Sequence, residues 1–534
     1  MEEKSVGRSF LILSVAGILV KILSAAYTPL LNGIIGKNGI GIYNASYAYF
    51  VFILAITSLG AQPAVAKVVS ELRALGHEED ALRAMKIARN YLAIIGAIIT
   101  VLFIVLAKPI LRIINWDQAY LSMMFLAPTI FFSCILASYR GYLQGIEEMK
   151  GLAISQVLEQ IVNVVLSLIF AFVFVNISIE WGSAGGTVGT TIGAIAALIF
   201  VLIMYDRKRY EERAEDENTA EKHISDKKIL KKLIAYGVPI ILVAGLQNSG
   251  GLIDAINVKG RLLSAGFEEN VATSMYGVLG FYNTLLYVPL SIVTALSAAI
   301  FPRVIKAYTT KNKKELKSQI TYSFKLTYLV TIPAAVGLSM LSKDIYSMLF
   351  NTTEGYQLLK YGSVVLILMS ISAIQNTILQ GINKLYLVVS TAFLSIALKF
   401  IINYFLVGIK EINILGAIFA SFFAFLLPVI INQKRLRRIF KMRIPIIKIG
   451  IIPFMSSCMM ALSIYLCRIP INRLMNIIEG GRLVTSIIVL ILIAIGGAVY
   501  FVTMILLGGI KKRDLDMISP RLFTLLPRFL RKNM

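Results

Sequence analysis

The sequence has little of what soluble enzymes and metalloproteins are built from. Only 15% of its 534 residues are charged, whereas a soluble domain has about 25%, and it holds just two histidines and three cysteines. His77 and His223 fall in charged loops, where we expect solvated surface residues, and Cys134, Cys458 and Cys467 do not have metal-ligand spacing. These shortages argue against a metal site and against catalysis by histidine or cysteine.

Motifs for nucleotide or sugar transfer are also missing. The glycine-rich stretch at Gly36-Lys37 continues with Asn38, where a phosphate-binding loop needs Ser or Thr. Asp514 and Asp516 resemble a glycosyltransferase metal pair, but they lie in a basic tail without a surrounding domain. We therefore predict no catalytic residues, no bound metal, no cofactor and no use of ATP.

What the chain has in abundance is hydrophobic sequence. Its residues are 57% hydrophobic and its mean hydropathy is +0.77. At about 20 apolar residues per crossing, about 14 windows are long enough to span a bilayer. The runs are continuous and lack the two-residue alternation of a lipid-facing strand. The sequence predicts an all-α integral membrane protein of about 14 transmembrane helices.

The positive charge is distributed unevenly along these spans. The net charge is +24, and with the amino terminus inside, 38 of the 53 Lys and Arg fall in inside loops and tails. The positive-inside rule then predicts a multi-pass protein of the bacterial plasma membrane with both termini in the cytoplasm. Basic runs that abut span ends indicate contact with anionic membrane lipids, so no nucleic-acid partner is predicted.

A repeat divides the spans into two groups. Leu143-Gln144-Gly145-Ile146 recurs as Leu379-Gln380-Gly381-Ile382, and Lys67-Val68 corresponds to Arg303-Val304; both pairs are 236 residues apart. Six helices per copy preserve membrane orientation, which predicts two parallel lobes with substrate bound between them. The predicted parts are a first six-helix lobe (1–205), a charged cytoplasmic linker (206–232), a second six-helix lobe (233–433), two further spans (434–510) and a basic cytoplasmic tail (511–534).

Charged residues inside spans are candidates for function, because a lysine at mid-bilayer costs about 2.5 to 3.5 kcal/mol. In the first span Ser14, Gly17, Lys21, Ser24 and Thr28 advance by three or four residues and therefore share one helical face. That face is unsuited to lipid. It predicts a wet cavity lined by these residues; a lysine paired with a carboxylate of another helix is the alternative.

The seventh and eighth spans carry similar polar faces. Gln247, Asp254 and Asn257 lie on one, and Asn283 and Tyr287 on the other. Three polar-faced helices predict one shared cavity. We expect Asp254 either to pair with the lysine of the first span across the lobes or to coordinate a cation.

Other polar residues suggest a groove and gates. Lys399 and Asn403 lie one turn apart in the eleventh span and Glu159 lies in the fifth, which predicts a second polar groove; for Glu159, holding two helices together is an equal alternative. Lys67 and Arg303, equivalent in the repeat, lie at the cytoplasmic ends of their spans. They are predicted to be either gate residues or snorkelling anchors.

At several of these motifs the chain resembles one family, the MOP exporter superfamily, in the stage V sporulation protein B and YtgP branch of MurJ-like flippases. The resemblance extends over nearly the whole length. The matching segments are Ala153–Val162, the two Leu-Gln-Gly-Ile motifs, Val20-Lys21-Ile22-Leu23, Ile253-Asp254, and Leu398-Lys399 with Asn403.

This resemblance implies a function. Such proteins move lipid II, an undecaprenyl-pyrophosphate-linked peptidoglycan precursor, from the inner to the outer leaflet by alternating access. It implies an undecaprenyl-linked glycolipid as the substrate, a coupling cation as a possible requirement, and cell-wall synthesis enzymes as possible partners. Where the wider family carries further charged residues, this chain has Tyr27, Thr284, Tyr287 and Asn163.

Three alternatives remain beside a lipid II flippase. The first is a flippase for another lipid-linked polysaccharide unit, because the neutral replacements thin the cationic cavity. The second is a cation-coupled multidrug exporter, which would favour acidic and aromatic walls. The third is a non-transporting scaffold that organises envelope-synthesis enzymes through basic cytoplasmic loops.

Overall fold

The computed structural model describes residues 2–208, 210–216, 223–475, 482–512 and 531, and over these ranges the chain is helical and contains no strand. The helices are α1 (Glu2–Leu54), α2 (Ala61–Ala74), α3 (Glu78–Ile113), α4 (Tyr120–Gly145), α5 (Met149–Phe174), α6 (Ile179–Arg207), α7 (Tyr210–Asp216), α8 (Asp226–Ser264), α9 (Glu269–Thr309), α10 (Lys313–Met340), α11 (Ser342–Phe350), α12 (Tyr356–Gly362), α13 (Val364–Gly381), α14 (Leu385–Leu406), α15 (Leu415–Phe440), α16 (Ile446–Met475) and α17 (Arg482–Leu506).

Over the described residues, 13 helical segments are long and apolar enough to cross a membrane. The first of them, Val15–Ala74, is 60 residues long, which is about 90 Å at 1.5 Å per residue against a bilayer core of about 30 Å. Gly36 breaks it, with φ 68° and ψ 178°, a conformation that a side chain would disfavour. The segment therefore contains two of the predicted spans, which accounts for the predicted number. The all-α membrane fold is confirmed.

Two pairs of helices approach closely through glycine. A Cβ added at Gly185 would lie 2.5 Å from the Phe170 carbonyl oxygen, and one at Gly189 would lie 2.2 Å from the Asn163 carbonyl oxygen. This four-residue glycine spacing seats α6 against α5. Between α9 and α1, a Cβ at Gly277 would lie 2.2 Å from the Lys37 carbonyl oxygen.

Packing divides the chain into two compact units. The first comprises Met1–Thr284 and Asn383–Ala424, and the second comprises Leu285–Ile382 and Phe425–Met534. The predicted lobes, 1–205 and 233–433, are drawn along the sequence, whereas packing groups α8, the start of α9 and α14 with α1–α6. The cause is visible in α8, which packs against both α2 and α14. The repeat and its six-helix lobes stay a prediction.

The described parts of the charged segment 206–232 (206–208, 210–216 and 223–232) pack against the helices of the first unit. The Lys208 ammonium lies 3.0 Å from the Glu148 carboxylate, and the Lys86 ammonium lies 2.8 Å from the Glu211 carboxylate on α7. Farther along, His223 lies 3.4 Å from Asp80. The segment thus holds a short helix at a defined position.

Of the two histidines, His223 is exposed as predicted and His77 is half-buried. His77 Nδ1 lies 3.0 Å from Asp80 Oδ2, and the Asp80 side chain is only 1% exposed. His223 contacts the same carboxylate, so both histidines converge on one buried aspartate. The prediction of solvated surface residues is wrong for His77, since the fold of the α2–α3 turn brings it onto this carboxylate.

Candidate functional site

An ion-pair cluster joins α8 and α14 inside the first unit. Lys399 Nζ donates to Asp254 Oδ2 at 2.6 Å and to the Gly250 carbonyl oxygen at 3.0 Å, while Asn403 Nδ2 donates to Asp254 Oδ1 at 2.8 Å. The side chains of Asp254 and Lys399 are 5% and 13% exposed. Both carboxylate oxygens of Asp254 are therefore occupied by donors of the same protein.

The periodicity of two helices builds this cluster. Lys399 and Asn403 are four residues apart on α14, and Gly250 and Asp254 are four apart on α8, so each pair faces the same way. The register continues through Asn257, whose side chain donates to the Phe400 carbonyl oxygen at 3.1 Å. The buried Asn257 thus supports the α8–α14 contact.

One predicted pairing of these residues is wrong. Asp254 is not paired with the lysine of the first span, because Lys399 reaches it from the neighbouring helix. The second polar groove of Lys399 and Glu159 stays a prediction; for Glu159 the alternative was that it holds two helices together, and its Oε2 lies 2.7 Å from Arg140 on α4. Arg140 also donates to the Ser155 hydroxyl at 3.0 Å, and this network ties α4 to α5.

Lys21 is placed differently. Its side chain is exposed on α1, and it has no acidic partner within the part of the chain that the structure describes. On the same face the half-buried Ser24 donates to the Val20 carbonyl oxygen at 2.9 Å. The buried Thr28 lies 3.5 Å, hydroxyl to hydroxyl, from Thr284 of α9. The polar face of α1 therefore presents one cation without a counter-ion.

At one end of these helices is a cluster that sequence reasoning missed. Lys259 is completely buried; its ammonium lies 2.9 Å from Glu269 and 4.4 Å from the centre of the Trp116 ring. Trp116 Nε1 donates to the Ala255 carbonyl oxygen at 2.8 Å. The α3–α4 connection is thereby fastened to α8 and α9 at the end predicted to face outside. The isolated tryptophan next to a loop was the available signal.

The predicted gate residues lie in different surroundings. Lys67 is exposed at the end of α2, and its ammonium lies 4.0 Å from the centre of the Tyr236 ring. Next to it the Lys232 ammonium and the Tyr236 hydroxyl both donate to Glu71, at 2.8 and 3.0 Å. Arg303 lies exposed in the second unit.

The other cavity candidates are less constrained. Gln247 is exposed on α8 and Asn283 is half-buried on α9. Tyr287 is 53% exposed and lies just beyond the boundary of the first unit. The structure thus brings together Asp254, Lys399 and Asn403, with Asn257 beside them, and leaves the cavity roles of the remaining residues as predictions.

Comparison with known proteins identifies relatives over most of the chain. A family model described as polysaccharide biosynthesis protein matches residues 6–308. The lipid II flippase MurJ of Bacillus subtilis (strain 168) is 24% identical over 95% of this chain and 96% of its own length. Stage V sporulation protein B of the same organism is 22% identical over 84% of this chain and 86% of its own length.

Solved structures show the same fold. The lipid II flippase MurJ in an inward closed conformation superposes with a TM-score of 0.67 and 15% identity, over 95% of this chain and all of that one. An inward-facing multidrug resistance MATE family transporter of the MOP superfamily gives a TM-score of 0.63 and 16% identity, over 80% of this chain and 99% of that one. The arrangement of helices is thus shared by flippases and drug transporters.

Proposed function

Because this chain belongs to the polysaccharide biosynthesis protein family, we propose that it is a flippase for a polyprenyl-diphosphate-linked saccharide. Lipid II is the proposed cargo, moved from the inner to the outer leaflet by alternating access. The chain acts as a transporter and not as an enzyme in this proposal. The relatives that carry the name lipid II flippase support it.

The observation that carries the proposal is the contrast among the buried and intramembrane charges. Asp254 and Glu159 are each neutralised by a basic side chain of a neighbouring helix. Lys21 is exposed on a polar helical face and has no such partner among the described residues. An unneutralised ammonium suits a diphosphate, and it opposes an organic cation.

The energy for outward movement comes from the membrane potential in this proposal. A head group of about two negative charges gains roughly 4 to 5 kcal/mol per 100 mV when it moves outward, at about 2.3 kcal/mol per charge. The proposal does not assign a coupling cation to Asp254, because the Lys399 ammonium already pairs with its carboxylate. Asp254 and Lys399 act instead as a clamp between α8 and α14.

One set of positions favours a second cargo, another lipid-linked polysaccharide unit. Tyr27 donates its hydroxyl to the Gly186 carbonyl oxygen at 2.5 Å, and Asn163 accepts from Ser167 and Thr190 at 3.1 and 3.2 Å. These two side chains serve local helix packing where the wider family is implied to carry basic residues. A cavity with fewer cations suits a head group with less negative charge than lipid II.

The test is flipping by purified protein in proteoliposomes. Fluorescent lipid II, and in parallel a fluorescent undecaprenyl-linked glycan without peptide, are followed by their exposure to a membrane-impermeant quencher. Lys21→Ala is expected to slow flipping by about 10- to 150-fold, the value of one charge-assisted hydrogen bond, and Lys21→Arg to retain it.

Lys448→Ala is the matched control, since Lys448 is also an exposed lysine in a spanning helix, on α16. Flipping of the second glycan alone would change the proposed cargo and keep the mechanism. Full flipping by Lys21→Ala at equal protein content would overturn the role of Lys21 as the head-group contact.

A further inference from the structure

A polar cavity lies where α7 meets the ends of the spans in the first unit. Its volume is about 150 Å³, room for several water molecules at about 30 Å³ each. It is distant in sequence from the α1 face and from the α8–α14 clamp. The polar and charged side chains that line it are those of Arg73, Glu78, Tyr142, Glu148, Tyr210 and Arg213.

Three elements give this cavity a fixed shape. Arg73 closes the last turn of α2, Tyr142 comes from the end of α4, and α7 forms the third side. The ring of Tyr210 stands edge-on to that of Tyr142, with 5.8 Å between ring centres. Ion pairs from the flanking Lys208 and Glu211 hold α7 in place. A docked helix and an aromatic wall are features of a formed pocket.

Two arginines and two glutamates line the wall, and the flanking Lys208 ammonium, which lies on Glu148, adds one positive charge. Each carboxylate has its own cation: Glu78 accepts from Arg73 Nε at 2.9 Å, and Glu148 lies 3.0 Å from the Lys208 ammonium. Arg213 is exposed and has no ionic partner in the described ranges. Its guanidinium is therefore available to an anion, and a planar fork of N–H donors matches the oxygens of a phosphate.

Tyr210 supplies a second donor. The residue is 5% exposed, and its buried O–H donates to no acceptor among the described residues; the Lys208 ammonium lies near its oxygen and can only donate. Burial raises the pKa of Tyr210, so the group remains an O–H donor at neutral pH. A buried O–H donor without an acceptor costs stability, and an oxyanion in the cavity would accept its hydrogen bond.

We propose that this cavity binds a phosphate group, held by Arg213 and Tyr210. The group belongs either to a soluble phosphate compound or to the headgroup of a lipid in the adjacent leaflet, because both present the same oxygens. The site is separate from the α1 face, and it does not depend on the flippase proposal.

Binding is tested first with inorganic phosphate and pyrophosphate, titrated calorimetrically into the full-length protein in a phosphate-free maltoside detergent. Arg213→Ala is expected to weaken binding about 10-fold or more, and Tyr210→Phe about 2- to 12-fold, the values of a charged and a neutral hydrogen bond. Arg437→Ala removes another exposed arginine, at the end of α15, and should bind as the parent does. The monodisperse elution and helical circular dichroism of each variant establish that it folds.

Native mass spectrometry with phosphatidylglycerol and phosphatidic acid identifies the source. Arg213-dependent binding of inorganic phosphate or pyrophosphate supports a soluble ligand. Arg213-dependent retention of lipid, with no binding of inorganic phosphate or pyrophosphate, supports a lipid headgroup. The proposal fails if no probe binds, if Arg213→Ala and Arg437→Ala lose equal affinity, or if Tyr210→Phe and Arg213→Ala both bind like the parent.

Discussion

Two lysines in spanning helices of this protein have opposite surroundings. Lys399 is 13% exposed and hydrogen-bonded to Asp254 and to a backbone carbonyl, whereas Lys21 is exposed and has no acidic partner among the described residues. Both are equally conspicuous in the sequence. The comparison teaches that depth in the membrane marks a lysine as unusual, while its partner determines whether it serves the fold or a ligand.

The largest effect should come from breaking the α8–α14 clamp. Asp254→Leu leaves the Lys399 ammonium largely buried and unpaired, and we expect it to cost about 3 to 5 kcal/mol of unfolding free energy. Thermal unfolding of the purified protein in detergent measures this loss. The double substitution Asp254→Leu with Lys399→Met removes both charges and should recover most of the stability. Equal stability of the single variant and the parent would contradict the clamp.

Lys21 should give the reverse result. Lys21→Met removes an ammonium without an acidic partner, so the unfolding free energy should stay within about 0.5 kcal/mol of the parent. The same thermal assay measures it, with Asp254→Leu as the destabilised reference. A loss comparable to that of Asp254→Leu would mean that Lys21 has a structural partner, and the contrast between the two lysines would disappear.

Much of the fold was predictable because a membrane-spanning segment must be apolar, and this requirement is visible in the composition of the sequence. Long apolar runs are required wherever backbone must be hydrogen-bonded within its own helix, so the all-α fold could be derived without any contact. The four-residue spacing of Gly185 and Gly189 is typical of a close approach between helices, and only the structure supplies the partner, α5.

The candidate site was less predictable, because pairing between distant residues has no local signal. Asp254 and Lys399 were both singled out, but they are 145 positions apart, and many assignments of partners fit the same residues. Arg140 was not singled out in the sequence, although it holds Glu159. Convergence of His77 and His223 on Asp80 could not be read from spacing, since it depends on how the segment after α6 folds back.

The ion pair between Lys86 and Glu211, which docks α7, is more exposed than the Asp254–Lys399 clamp and should be weaker. The hydrogen bond from Lys86 lowers the pKa of Glu211 from its ordinary 4.5. A lowered pKa in the folded state means that the stabilisation is complete above pH 4.5 and is lost as the pH falls through the lowered value. The pair is largely solvent-exposed, so we expect a small effect confined to α7.

Hydrogen exchange of the α7 amides measures this effect. In the parent, their protection factors, corrected for the intrinsic pH dependence of exchange, should decrease as the pH is lowered below 4.5, and in Glu211→Gln they should stay level. A parallel fall in both proteins would show that another group controls the docking of α7, and exposed pairs would then contribute nothing measurable beside the buried clamp.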